Sequence, residues 1–180
     1  MDLQSLIKNA NFDHSRKVSQ ISGMMARKAG YSEAESRIIE QAGLYHDVGK
    51  SALPIEILNK PGALTPSEYE IIKTHTILGC KQITEAVQIL SVAALVAQQH
   101  HEKADSTGYY HLSCKETHPY ARLVSCADVM DALYSRRAYK NSWDIAKIRE
   151  YFTAQSGKQF DPEMVNVLFS IMDDVLKLYH

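Results

Sequence analysis

Five of the eight histidines in this 180-residue chain fall at helix ends or within helices: His14, His46, His75, His100 and His101. His46 is followed directly by Asp47, and His100 by His101. Neighbouring helical residues project about 100° apart, so such a pair shares one metal only where the helix unwinds. Otherwise it serves two. Two adjacent pairs suit two metal ions held close together better than one. Ions about 3.5–4 Å apart clamp the attacking and leaving oxygens of a phosphate displacement. A carboxylate would bridge them, and Asp47 and Asp128 are the candidates.

Asp128 stands in the string CADVMDAL, flanked by Val124, Ala127 and Met130. A carboxylate among such neighbours is costly to bury unless it is paired or bound to a metal. Asp131, three residues on, shares that face and could orient a ligand histidine through its second ring nitrogen. Imidazole and carboxylate without thiolate suit iron, manganese, zinc or nickel rather than magnesium or calcium. Open positions on such ions would supply hydroxide near neutral pH as the nucleophile. Lys50, four residues after His46, could neutralise a phosphate or protonate a leaving oxygen. Arg137 and Lys140, beyond the Asp128 helix, could reach the same cleft as phosphate contacts.

The elements that must position these groups read as helices. Ser32 with Glu35 forms a capping box, and Thr65 with Glu68 forms another, with Pro66 at the first helical position. Asp161-Pro162 opens the last helix, and Gly157 suits a position just past the helix before it. The pattern predicts helices at about 13–29, 33–46, 66–75, 91–101, 120–134, 143–156 and 162–178, with shorter turns near 54–59 and 77–89. No segment alternates like a strand, so the expectation is an all-α, single-domain bundle of about seven helices spanning 1–180. Glu102 to Pro119 carries no periodicity and reads as a long loop. Loops beyond about 12–15 residues in a compact domain are usually functional, and this one follows His100-His101.

Composition narrows the remaining choices. Twenty basic residues nearly cancel 21 acidic ones, so no global field attracts a nucleic acid polymer or a membrane. Cys80, Cys114 and Cys126 form no CxxC pair, which argues against zinc-thiolate and disulfide frameworks. The N-terminus lacks the pattern of a signal peptide. The most apolar run, Val92 to Ala97, is too short to span a bilayer. A cytoplasmic location without membrane insertion is expected.

Taken together, the sequence resembles the HD-GYP domain of the HD phosphohydrolase superfamily. The matching residues are HDVGK at 46–50, His75, HHE at 100–102, Gly108-Tyr109 and ADVMDAL at 127–133. Further matches are Ile57-Leu58 with Lys60, Gly62, Leu64 and Thr65, the run Arg136 to Lys140, and Phe160-Asp161-Pro162. The likeness runs from about His14 to Phe169. It implies the HD-domain fold, a bacterial origin, and hydrolysis of the second messenger cyclic di-GMP to a linear dinucleotide or GMP. The cofactors implied are two or three iron or manganese ions. The family's metal ligands carry over onto His14, His46, Asp47, His75, His100, His101 and Asp128. Asp47 and Lys50 take the catalytic positions, and Asp105, Tyr109, Arg137 and Lys140 the substrate contacts. Other signalling proteins are possible partners by the same resemblance.

The sequence also departs from the pattern. Where the family loop reads Asp-Gly-x-Gly-Tyr-Pro, this chain has Asp105-Ser106-Thr107-Gly108-Tyr109-Tyr110. Arginine-proline-tyrosine becomes Arg137-Ala138-Tyr139, and Ala10 replaces a glutamate that supports a third metal in some members. Two metals are therefore expected. The altered loop leaves two alternatives open: a cyclic-dinucleotide sensor with little turnover, or an HD phosphohydrolase acting on another nucleotide.

Overall fold

The computed structural model describes residues 12–87, 91–135 and 142–179. Ala10, Arg137 and Lys140 lie outside the described residues. Local chemistry starts the helices where the sequence expects. After α1 (Phe12–Lys28), Ser32 Oγ accepts from the Glu35 N–H and the Glu35 carboxylate accepts from the Ser32 N–H, opening α2 (Glu33–Tyr45). A 3-10 turn, Val48–Ala52, and the single-turn α3 (Ile55–Leu58) follow. The Thr65–Glu68 box opens α4 (Pro66–Lys73). Then come α5 (His75–Val87), α6 (Val92–Gln99) and α7 (Pro119–Tyr134). Asp144 and Asp161 cap α8 (Ile145–Gln155) and α9 (Pro162–Ser170), and the chain continues through α10 (Met172–Leu176) into a short 3-10 turn. Among the described residues there is no strand, only one isolated bridge between Ser156 and Phe160.

Two expectations need correction. The segment 77–89 is not a short turn, because α5 is a 13-residue helix. Its start is hidden because α4 ends at Thr74, whose hydroxyl folds back onto the Ile71 carbonyl at 2.6 Å, and helix resumes at the next residue without Gly or Pro between them. The last helix is also interrupted. Ile171, at φ −118° and ψ 9°, ends α9 and caps α10.

The principal core joins α1, α2 and α6–α10. Ile21, Ile39, Leu123, Met130, Ile148, Phe152 and Leu168 are fully buried within it. Each such side chain contributes about 1.5–3 kcal/mol of transfer free energy. A smaller cluster of Val48, Ile83, Ala94 and Ala97 packs the first 3-10 turn against α5 and α6. That packing is close. A Cβ on Gly49 would lie 1.9 Å from the His75 carbonyl and 2.4 Å from the Gly79 nitrogen, so only glycine permits the contact. The turn carrying Asp47 is thereby held against the start of the helix carrying His75.

Candidate metal centre

Three histidines sit where helices run out of partners. The last carbonyls of a helix have no intrahelical donor. His46 caps α2, His100 caps α6, and His75 follows α4 by one residue beyond its cap. Each ring turns Nδ1 back onto the carbonyl three residues earlier: His46 onto Gly43 at 2.7 Å, His75 onto Ile72 at 2.6 Å, and His100 onto Ala97 at 3.0 Å. A carbonyl can only accept, so Nδ1 must carry the proton. The Nε2 lone pair of each ring is then left to face inward. His14, inside α1, is oriented by another route, donating from Nδ1 to Asp131 at 2.6 Å.

These nitrogens converge on two carboxylates. His75 Nε2 and His100 Nε2 lie 3.4 and 3.7 Å from Asp47 Oδ1, while His46 Nε2 lies 3.3 Å from Asp47 Oδ2. Asp128 Oδ1 stands 3.1 Å from His14 Nε2 and 3.8 Å from His46 Nε2. The groups fall into two sets that could each hold a metal ion: Asp47 with His75, His100 and His101, and Asp128 with His14 and His46. Asp47 turns one oxygen toward each set.

The residues fit metal ions on a physical test. His46 Nε2, His75 Nε2, His100 Nε2 and Asp47 Oδ1 are all buried and have no hydrogen-bond partner. Buried polar atoms are rarely left so, and four at one point would be costly without a cation to share them.

The electrostatics follow from the same arrangement. Burial opposes ionisation of Asp47, but Lys50 and His46 hold its carboxyl well below the usual range. Burial likewise opposes ionisation of Asp128, but the hydrogen bond from His14 and the charges of His46 and His14 together hold its carboxyl below the usual range. Burial would lower the His14 pKa, yet Asp128 and Asp131 raise it to about 9. Burial and the neighbouring His100 lower His75 to about 4, and the same two causes push His101 well down.

A profile of the HD domain family matches residues 1–164 of the chain. This chain belongs to the HD domain family. A cyclic di-GMP phosphodiesterase response regulator of Xanthomonas campestris pv. campestris is 41% identical over 154 residues, covering 84% of this chain and 41% of that protein. A cyclic di-GMP phosphodiesterase of Thermotoga maritima is 36% identical over 168 residues, covering 92% and 46%. A 3'3'-cGAMP-specific phosphodiesterase of Vibrio cholerae is 35% identical over 167 residues, covering 92% and 32%. This HD domain thus spans less than half the length of these curated relatives. An HDG"Y"P protein from Bdellovibrio bacteriovorus shares the fold, with TM-score 0.73, 23% identity, and coverage of 96% of this chain and 55% of that one. So does the HD domain of an L. monocytogenes phosphodiesterase solved with cyclic-di-AMP, with TM-score 0.69, 21% identity, and coverage of 98% and 97%. The all-α HD fold and the HD-GYP resemblance read from the sequence are borne out. HD domains bind divalent metal, and the two His/Asp sets are where this one could do so.

The remaining expected site residues are placed differently from one another. Lys50, on the first 3-10 turn, donates to Asp47 Oδ2 at 2.5 Å. The Tyr109 ring lies over His101, with centroids 4.7 Å apart. Burial and the neighbouring Tyr69 push its phenol up, so it stays protonated. Asp105 is exposed and accepts from the Thr107 N–H and hydroxyl, shaping the loop without joining either metal set.

Two roles escaped the sequence reading. Glu102 is buried and accepts from the Tyr110 N–H at 2.8 Å and the Leu112 N–H at 2.9 Å, and so organises the loop over the site. A Cβ on Gly108 would come within 2.5 Å of Glu102 Cα, so the chain can only cross there as glycine. Tyr69 of α4 meets the Tyr109 ring edge-on at 6.0 Å. Glu102 stood in the matched HHE string, but nothing local marked it as buried, and no spacing linked Tyr69 to a residue 40 positions away.

Among the described residues no helix is long and apolar enough to cross a membrane.

Proposed function

We propose that this HD domain is a metal-dependent phosphodiesterase that hydrolyses a cyclic dinucleotide, with cyclic di-GMP the expected substrate. One observation carries the reading: four buried, partnerless ligand atoms meet at Asp47, whose two oxygens face two separate sets of imidazoles. The names of the relatives supply the substrate class. We take the complement to be two ions, iron or manganese, from a ligand set without thiolate. Such ions, when bound, polarise phosphoryl oxygens and acidify water at the scissile phosphorus.

The residues of the chain do the rest. Asp47 spans the two sets. His46, His75 and His100 present lone pairs fixed by backbone carbonyls, His101 completes the set around Asp47, and Asp131 holds the His14 ring. Lys50, partly exposed beside Asp47, is placed to meet a phosphate oxygen or to protonate the departing 3′-oxygen. Arg137 and Lys140 remain proposed phosphate contacts, and Tyr109 forms a wall of the site beside His101. Hydrolysis adds one water across a ring P–O bond and leaves a terminal phosphate and a free hydroxyl.

The experiment is to purify the chain without oxygen or chelators, measure metal per chain, and follow cyclic di-GMP by chromatography on the same sample. Two metals per chain with linear product are expected. Asp47→Ala should lose metal and turnover together, the rate falling by at least about a thousandfold. Full turnover in that variant would overturn the mechanism. Preference for 3'3'-cGAMP would keep the reaction and change the substrate. Tight ligand binding without product in fully loaded protein would establish a sensor instead, and preference for a mononucleotide would establish another HD phosphohydrolase.

A further inference from the structure

Of the residues that depart from the family loop, Tyr110 is tied through both its backbone and its side chain. Tyr110 replaces the proline of the resembled pattern, and this supplies two groups that proline lacks. Its N–H donates to Glu102 Oε1 at 2.8 Å, and its hydroxyl meets Thr76 Oγ1 across 34 residues of sequence. Thr76 is fully buried, and its own hydroxyl donates to the Lys73 carbonyl at 2.8 Å. That commits the threonine proton, so in this pair Tyr110 must be the donor.

The partner is well chosen by position. Thr76 directly follows His75 and lies on α5, whose first turn is packed against Gly49. Tyr109, next to Tyr110, is contacted by the same stretch of chain. Tyr69 meets its ring edge-on, and Lys73 Nζ lies 5.6 Å from the ring centroid. On its inner side the ring lies 4.7 Å from His101 and 6.4 Å from His75, centroid to centroid. The loop therefore meets the α4–α5 junction through two adjacent tyrosines, one turned toward the imidazoles and one toward a buried hydroxyl. Flanking this pinned segment, Ser106 and His111 hold positive φ values of 63° and 59°, a backbone region that L side chains adopt at a cost. The ties at Glu102 and Thr76 offset that cost.

We propose that Tyr110 and Thr76 form a hydroxyl latch that fixes Tyr109 against His101, and that Tyr110 is thus a positioning residue governing how tightly a cyclic dinucleotide is held. The proposal rests on the phosphodiesterase reading above for its substrate, but the latch itself is measurable without turnover.

The test uses the full chain loaded with manganese, as Tyr110→Phe, Thr76→Val and Thr76→Ser. Hydrogen exchange at the amides of 108–112 should speed up in Tyr110→Phe and Thr76→Val and stay near the unaltered rate in Thr76→Ser, which keeps the acceptor. With metal content unchanged, KM for cyclic di-GMP should rise about fivefold in the first two while kcat stays within about twofold, the size expected for one neutral hydrogen bond. Unchanged exchange and KM in both variants would overturn the latch. Loss of metal and of kcat together would overturn it as well, by showing that the contact merely holds the fold. If the unaltered protein hydrolyses no cyclic dinucleotide, the phosphodiesterase reading fails by itself, and the exchange rates alone then decide the latch in the same two directions.

Discussion

His14 Nδ1 and Asp131 Oδ2 lie 2.6 Å apart and join α1 to α7 across 117 residues of sequence. The rings of His46, His75 and His100 are oriented by backbone carbonyls, and this one is oriented by a buried carboxylate. Asp131 is itself held, accepting from Ser135 Oγ at 2.7 Å and the Tyr179 hydroxyl at 2.8 Å. Negative charge behind the ring makes Nε2 more basic.

Asp131→Ala should therefore weaken one metal and spare the other. Loss of such a partner typically costs about 10–100-fold in affinity. Manganese titration should show the His14–His46–Asp128 set weakened by that amount and the set around Asp47, His75, His100 and His101 nearly unchanged. Equal weakening of both sets would show that Asp131 acts on the fold and not on His14.

Metal loading should depend on pH through His14. His14, raised to about 9, binds its ion by losing a proton. Occupancy of its set should climb by about tenfold in affinity per pH unit from about 6.5 to 9. His75 and His101 are already neutral there, so those two ligands add no such dependence. In chelator, the same shifts govern stability. The His14 contribution is full below its unfolded value of 6.5 and is lost as pH rises through about 9. The His75 contribution is present above 6.5 and is lost as pH falls through about 4. Each amounts to about 3 kcal/mol, so metal-free protein should be most stable near pH 6.5 in urea titrations. A monotonic rise across that range would contradict the assignment.

Gly49→Ala should destabilise by about 2–3 kcal/mol, the scale of overpacking a tight contact. The added methyl would lie 1.9 Å from the His75 carbonyl, so the turn and α5 must separate. Asp47 and His75 would move apart with them. Urea unfolding and metal content should fall together in this variant, and a normal metal content would break the link between that contact and the site.

Glu102→Gln is nearly isosteric but replaces one acceptor oxygen with a donor facing a backbone N–H. Leaving such a buried group unpaired costs about 1–3 kcal/mol. Limited proteolysis should cut between 103 and 113 faster than in the unaltered protein, because both the Tyr110 and Leu112 amides depend on that carboxylate. Resistance equal to the unaltered chain would show that the loop is held elsewhere.

The sequence by itself determined the features whose physics is local. The capping boxes at Ser32 and Thr65 and the cap at Asp161 need only residues two or three apart, and all three helices begin where those signals stand. The irregular stretch after His101 was legible for the same reason, since it lacks any period. So was the expectation of two sets, because neighbouring helical residues project about 100° apart and two such pairs suit two ions better than one. Tertiary structure decided which groups share a set. His46 and Asp47 divide between the two sets, whereas His100 and His101 fall in the same one, and neither pair carries a mark in its sequence of which way it goes. It also decided α5. Gly79 lies inside α5, where a glycine costs about 1 kcal/mol relative to alanine. Its reason is Gly49, thirty residues earlier, lying against it. Spacing along a chain records what neighbours do to one another, while the pairing of Gly49 with Gly79, of Asp131 with His14 and of Tyr110 with Thr76 exists only once distant helices have packed.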